Sequence, residues 1–420
     1  MTEMTEESVR AEVRAWLQAN WDPNMELVQW RSLLADSGWG MPSWPKQWHG
    51  KGLSATLEAA VENEFKKIGA LGVARSGIRM LAAATLFEHG SDFLKAKFLR
   101  RMLTGEDNWC QLFSEPGSGS DMAGAMTRAD LKDGKWIING QKVWTTSAHH
   151  AQYGILLART DWNVPKHQGL SYFIIAIEQP GVLVQPLRQM NGHASFNQVF
   201  FTDAVVPPEF QVGSLGEGWK VATTTLMYER RFAADGVAAV PGQGAVRAGR
   251  AYEQERIETV KHNEPYKWYP QRAGRADLVI ERARAAGKNN DPVIRQEMAK
   301  LLTLYNAAKW TARRARAAQQ MGRAQGPEGS LGKLVGSHIS RASASVHTLI
   351  NDADAMLSGA DSPMNGVIAE ILVSTPAASI AGGTDEIQRN IISERVLGMP
   401  KEPLTGMDRP FKDVPKNTVS

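Results

Sequence analysis

Hydrophobic spacing divides the chain into three textures. Val9, Val13, Trp16 and Leu17 recur every three or four positions and predict a helix from Glu7 to Ala19. Ser54 to Ile68 opens on a capping Ser and carries Leu57, Ala60, Val61 and Phe65 at helical spacing. Ser76 to Gly90 and Phe93 to Met102 repeat the pattern, and Gly38 to Pro45 reads as a turn-rich apolar loop. After Trp109 the texture changes. Glu115 to Gly124 is rich in Gly and Ser. Short β-type runs follow at Trp136–Ile138, Lys142–Thr146, Tyr153–Thr160, Leu170–Ile177, Val182–Pro186 and Asn197–Phe201. Asp133-Gly134, Asn139-Gly140 and Pro180-Gly181 punctuate them as turns. From Gly218 the pattern is helical again: Trp219–Val240, Gly242–Thr259, Val293–Met321 behind an Asp291-Pro292 start, Ser340–Met356 and Thr384–Leu397. His262 to Arg275 reads as an irregular insertion.

The predicted class is therefore α+β, in the order helices, antiparallel β domain, helical bundle. The expected boundaries are 1–110, 111–217 and 218–398, with a proline-bearing tail at 399–420, mobile or docked.

The single cysteine, Cys110, excludes a disulfide framework and any multi-cysteine metal site. Lys plus Arg number 48 against 44 Asp plus Glu, too even a balance for a nucleic-acid stripe. Arg313-Arg314-Ala315-Arg316 reads as a solvated helix face. Met1 to Arg10 is polar and acidic and lacks signal-peptide character. No run of about 20 apolar residues predicts a membrane span, and a cytoplasmic location is expected. Thirteen Trp and 38 Gly exceed what a helical bundle needs.

Four segments carry candidate chemistry. Gln111 to Asp121 combines small residues with free backbone N–H groups, suited to anionic oxygens or to a plain interdomain loop. Asn139 to Ser147 places Trp144 and Thr146 two apart on one face, suited to a flat heteroaromatic ligand or to a cross-strand core pair. In Ala381 to Arg389, two glycines precede a Thr cap and an acidic first turn, as a ligand site or an ordinary capped helix would have. Glu229 falls on the face of its helix defined by Val221, Ala222, Thr225, Leu226, Phe232 and Ala233, where an unpaired carboxylate is costly. Arg230 adjoins it, so a buried ion pair is the other reading.

In this order the segments resemble the acyl-CoA dehydrogenase family of flavoproteins, from about residue 30 to residue 400. The signatures are Ser114-Glu115-Pro116-x-x-Gly119-Ser120-Asp121 and Gly383-Thr384-x-x-Ile387-Gln388-Arg389, with Asn139–Thr146 and Gly216–Val221 as further landmarks. The resemblance implies noncovalent FAD between the β domain and the C-terminal helices. Gln111, Phe113 and Ser114 would meet the flavin, Gly119 and Ser120 the pyrophosphate, and Trp144 and Thr146 the ring. Thr384 and Glu386 would lie near the cofactor. It also implies α,β-dehydrogenation of an acyl-CoA thioester, with Ser120, Arg230 and Met227 toward substrate and an electron-transfer flavoprotein as acceptor.

Two departures sharpen this. Most members carry the catalytic Glu immediately before the Gly-Thr of the second signature, where this chain has Gly382. A minority place it on the first C-terminal-domain helix before an Arg, the position of Glu229-Arg230. Glu229 is thus the expected base, Arg230 its partner, and the Gly382 N–H a donor to the thioester oxygen. The missing side chain at 382 leaves room for a branched or bulky acyl group. The Arg-x-x-Phe-Gly and Gln-x-x-Gly-Gly motifs of family homotetramers are absent, where Ala286–Pro292 and Met356–Ala360 stand instead. That fits a hetero-oligomer with a homologous subunit, or a homo-oligomer holding FAD in its own way. Two alternatives stay open: an FAD-binding subunit inactive alone, and a flavin monooxygenase on the same fold.

Overall fold

The computed structural model describes all residues except 1–4, 75–76, 237–246, 322–325, 327, 402, 404–407 and 415–420. The chain forms two compact units: residues 1–187, 196–264 and 406–420 make the first, and residues 188–195 and 265–405 the second.

The first unit opens with five helices: α1 (Glu6–Asn20), α2 (Leu27–Ser37), α3 (Ala55–Ile68), α4 (Gly77–His89) and α5 (Asp92–Thr104). Val9, Val13 and Leu17 are buried on α1, as their spacing predicts. The Ser54 hydroxyl caps α3 by accepting from Leu57 N. Helix α2 lies in a stretch without a predicted element. Its buried Leu27, Trp30, Arg31, Leu34 and Ala35 follow helical spacing, but the charged Arg31 interrupts the stripe.

Eight strands follow: β1 (Trp109–Leu112), β2 (Arg128–Lys132), β3 (Lys135–Thr146), β4 (Tyr153–Arg159), β5 (Leu170–Ala176), β6 (Val182–Leu187), β7 (Phe196–Val206) and β8 (Gln211–Val212). Their order is β6-β7-β3-β2-β4-β5-β8, with β1 against β4. Antiparallel pairs dominate, but β1 and β2 each pair parallel with β4. Asp133 and Gly134, both at positive φ, turn β2 into β3 as predicted. Asn139-Gly140 is not a turn. Strand β3 runs through it with a register shift, and Gly140 sits at φ +149 against Thr127, where a Cβ would lie 2.7 Å from the Thr127 Cα. Glycine there permits a bulge and a close backbone approach.

Helices α6 (Gly218–Gly236) and α7 (Arg250–Asn263) complete the first unit's helices. The predicted helices over Trp219–Val240 and Gly242–Thr259 extend into 237–246, outside the described residues. The tail returns as well: Phe411 N donates to Val164 O and Lys412 N to Trp162 O. Phe411 is buried, with the Arg159 guanidinium 3.5 Å from its ring centroid. The docked form of the tail is the one observed at this segment.

The second unit holds α8 (Tyr269–Arg272), α9 (Val279–Ala285), α10 (Pro292–Gln320), α11 (Glu328–Asn351), α12 (Val367–Ser374), α13 (Pro376–Ile380) and α14 (Asp385–Arg395). Asp291 caps α10 by accepting from Val293 N and Ile294 N. The stretch Pro363–Arg395 has the composition of a membrane span. Pro376 and the positive-φ pair Gly382-Gly383 break it into helices of 8, 5 and 11 residues, each too short for the ~30 Å of a bilayer core.

Candidate active site

The Gly/Ser-rich loop is held from beneath. Glu115 and Ser118 exchange backbone hydrogen bonds, which folds Pro116 and Gly117 into a tight exposed corner. The Glu115 carboxylate points inward and accepts from Met126 N at 2.6 Å, Thr127 N at 2.9 Å and Lys142 Nζ at 2.8 Å. Lys142 is fully buried on β3 and also donates to the Phe113 carbonyl at 2.9 Å. Burial pushes the Glu115 carboxyl up, but the Lys142 charge and these donors outweigh it and hold it below its ordinary value. Ser118 Oγ donates to Asp121 O at 2.6 Å, while Gly119 and Ser120 stay exposed. A Cβ at Gly119 would meet nothing within 4 Å, so the loop edge is open.

A second bulge in β3 lies between Lys142 and Thr145. It puts Trp144 at φ +59 with 56% of its surface exposed, its ring edge-on to Phe196. Thr145 is buried and Thr146 partly exposed. A bulky residue in the left-handed region, largely turned out to solvent, is strained.

Helix α6 carries Glu229. Thr225, one turn earlier, is fully buried and tied to two other elements. Its Oγ1 lies 2.8 Å from Thr85 Oγ1 of α4 and 3.0 Å from Tyr172 Oη of β5. Thr85 Oγ1 donates in turn to the Leu81 carbonyl at 2.8 Å. Donation from Tyr172 to Thr225, Thr225 to Thr85 and Thr85 to Leu81 uses every hydroxyl proton once. Burial pushes the Tyr172 phenol up, so it keeps its proton. The Tyr172 ring meets the buried Phe113 edge-on at 5.8 Å.

The Glu229 carboxyl is half-buried. Burial raises its pKa above the ordinary value. The neighbouring Gln111 amide and the Arg230 charge act against burial without cancelling it. Of the face that pointed to Glu229, Val221, Ala222 and Thr225 are buried. The side chains of Phe232 and Ala233 lie outside the described residues. Arg230 and Met227 are exposed.

In the second unit, Gly382 and Gly383 sit at φ +70 and +87. Thr384 caps α14 by accepting from Ile387 N at 3.3 Å. Glu386 is exposed and paired with Arg389, while Asp385 is buried and accepts from Ser337 and Arg341. The first unit thus brings Gln111 and Glu229 together and places Phe113 beside the Tyr172–Thr225 link. Lys142, Tyr172, Thr225 and Thr85 lay outside the predicted site. Lys142 was detectable as a cation among inward β3 positions. Thr225 stood on the predicted α6 face, but its hydroxyl link to Thr85 and Tyr172 becomes visible only when α4, α6 and β5 meet.

Comparison with known proteins gives three consecutive family matches: the acyl-CoA dehydrogenase N-terminal domain over residues 1–106, the middle domain over 110–204 and the C-terminal domain over 270–397. The acyl-CoA dehydrogenase IpdE1 of Mycobacterium tuberculosis is 32% identical over 421 residues, spanning 94% of this chain and 98% of its own. The chain belongs to the acyl-CoA dehydrogenase family. It is an oxidoreductase of that family. Solved structures share the fold. The Tcur3481-Tcur3483 steroid ACAD aligns with TM-score 0.63 at 23% identity, over 94% of this chain and 98% of that one. The ChsE4-ChsE5 complex from M. tuberculosis aligns with TM-score 0.58 at 21% identity, over 96% and 100%. Acyl-CoA dehydrogenases are FAD proteins, and the first unit's residues fit such a group. The open edge at Gly119 suits a close-lying anionic oxygen. The outward, strained Trp144 suits a flat ring that would pack on it.

Proposed function

We propose that the chain catalyses α,β-dehydrogenation of an acyl-CoA thioester with Glu229 as the base. One observation carries the reading: a half-buried carboxyl on α6 whose proton affinity is raised by its burial. A thioester α-proton is a very weak acid, and a base desolvated in this way is matched to it at neutral pH. Gly382 has no proton acceptor, so the usual family position cannot supply one. In this reading FAD is held by Phe113, Ser114, Gly119, Ser120, Trp144 and Thr146. When bound, it supplies the acceptor for the β-hydride. Glu229 takes the α-proton, Arg230 holds negative charge beside it, and the hydroxyl chain through Thr225 fixes the helix that carries it. A carboxylate base in this position favours dehydrogenation over monooxygenation.

The acyl group is proposed to be branched or polycyclic. One structural relative is a steroid ACAD, which favours that class. The missing tetramer motifs, and structural relatives that are two-component complexes, also favour a second homologous subunit completing the enzyme. The test is a panel of straight, branched and steroid-derived acyl-CoA thioesters with an electron-transfer dye, run with and without a homologous partner. Substrate-dependent dye reduction is expected, and Glu229→Gln should abolish it while FAD stays bound. Turnover retained in that variant would refute the assignment of the base.

A further inference from the structure

The end of the chain reaches back to the motif loop through one buried cation. Arg159 closes β4 and is fully buried. Its guanidinium donates to three main-chain carbonyls: Nε to Ala125 at 3.1 Å, Nη1 to Lys166 at 3.0 Å and Nη2 to Ala123 at 2.6 Å. Ala123 lies in the short turn Met122–Gly124 that follows Gly119-Ser120-Asp121, and Ala125 ends it. Lys166 returns to the same loop, its Nζ 2.7 Å from Asp121 Oδ1. Glu115 and Lys142 secure the loop at Phe113 and at Met126–Thr127. Arg159 and Lys166 secure the part between.

Phe411 covers that cation. Its ring centroid lies 3.5 Å from Arg159 Cζ, against 5.7 Å for the Trp162 ring. Two main-chain bonds set it there: Phe411 N donates to Val164 O at 2.9 Å and Lys412 N to Trp162 O at 3.0 Å. Both acceptors lie on the β4–β5 connection that also carries Lys166. Burial pushes the guanidinium down to about 10, so it stays charged at neutral pH. The charge is met by carbonyl dipoles and by a ring face, each only a partial charge. Removing the ring leaves the guanidinium less well compensated, and the carbonyls it holds lose a fixed partner.

We propose that Phe411 is a positioning residue for the Gly119–Ser120 edge: it seats Arg159, whose guanidinium fixes the carbonyls that follow that edge, and so sets the affinity for the anionic part of the cofactor. The inference rests on FAD being held at Gly119 and Ser120. The tail then serves the site from a distance, touching neither the loop edge nor the reacting atoms.

The test uses the full-length protein. Phe411→Leu keeps an apolar side chain but loses the ring face. In its cofactor-free form, amide hydrogen exchange over residues 118–127 should be faster than in the wild type while α1 stays unchanged. In fluorescence titrations of the same protein, the FAD Kd should rise by up to about tenfold, the scale of one desolvated cation–π contact. Gly119→Val probes the loop itself. A Cβ there meets nothing within 4 Å, so the fold is kept while close approach of an anionic oxygen is blocked. Wild-type FAD affinity in Gly119→Val overturns the cofactor reading of this loop and the inference with it. Weakened binding in Gly119→Val, with loop exchange or FAD affinity unchanged in Phe411→Leu, overturns the inference alone. So does exchange in α1 that quickens as much as in the loop, since that marks general loosening.

Discussion

Lys142→Met isolates one ion pair. Lys142 is fully buried and Glu115 nearly so, and their bond at 2.8 Å is surrounded by strand backbone. Removing one member of such a pair costs about 3–5 kcal/mol, because the other charge stays buried and unpaired. The Phe113 carbonyl loses its 2.9 Å donor as well, adding about 1 kcal/mol. Against this, Glu115 keeps the Met126 and Thr127 N–H groups and can take up a proton. The net expectation is a loss of about 4 kcal/mol at pH 7.5, or about 10 °C in Tm for a unit of this size.

The sign with pH follows from Glu115. In the wild type its pKa is depressed, so its stabilisation is present above the unfolded value near 4.5 and is lost as pH falls through the folded value. Without Lys142, burial favours the neutral acid, so the variant gains stability as pH falls toward 4.5 and the gap narrows. The Glu115→Gln/Lys142→Met double variant should recover most of the loss at pH 7.5. Calorimetric melts across pH 4.5 to 8 measure all three. A single variant within about 1 kcal/mol of wild type, or a double variant as unstable as the single, would refute the reasoning.

The remaining predictions use other features of the first unit. Trp144→Gly should relieve left-handed strain and raise the stability of the cofactor-free protein by about 1 kcal/mol, while weakening FAD binding in a fluorescence titration. Lower stability with unchanged affinity would contradict that. Phe411→Ala empties a buried ring site over the Arg159 guanidinium and should cost about 3 kcal/mol in a denaturant melt; an unchanged midpoint would mean that the tail docking contributes nothing. Glu229 has a raised pKa, so its stabilising neutral form is lost as pH rises through that value. Glu229→Gln should therefore melt above wild type at pH 8 and level with it near pH 4.5, and equal melts throughout would count against a desolvated carboxyl.

Much of this was legible in the sequence, and the failures have physical causes. The face of α6 pointed to Glu229 because Val221, Ala222 and Thr225 repeat at helical spacing around it. Helix α2 escaped because Arg31 breaks its apolar stripe. Arg31 is tolerated there because it pairs with Glu258, 227 positions away, a partner no local window contains. Asn139-Gly140 read as a turn because that dipeptide is the usual hairpin signal. Only the proximity of Thr127 shows that the glycine serves a bulge.

The backbone at the second signature fits the proposal that the base lies on α6. Gly382 and Gly383 both occupy the left-handed region, and a Cβ on Gly383 would come within 2.5 Å of Gln388 Nε2. A Glu at 382 in this backbone would carry left-handed strain of about 1 kcal/mol or more. The segment would have to relax out of that conformation to present a carboxylate well. On α6 the same group costs no backbone strain. Its helix is pinned at Thr225 by Thr85 and Tyr172. Placing the proposed base on α6 rather than at the glycine corner exchanges backbone strain for a desolvation cost. That desolvation is itself what raises the carboxyl's proton affinity, so the cost of burying Glu229 and its proposed role as base have one origin. Re-creating the usual arrangement should then fail in a specific way: Gly382→Glu combined with Glu229→Gln would not restore turnover unless the 382–383 backbone also changed.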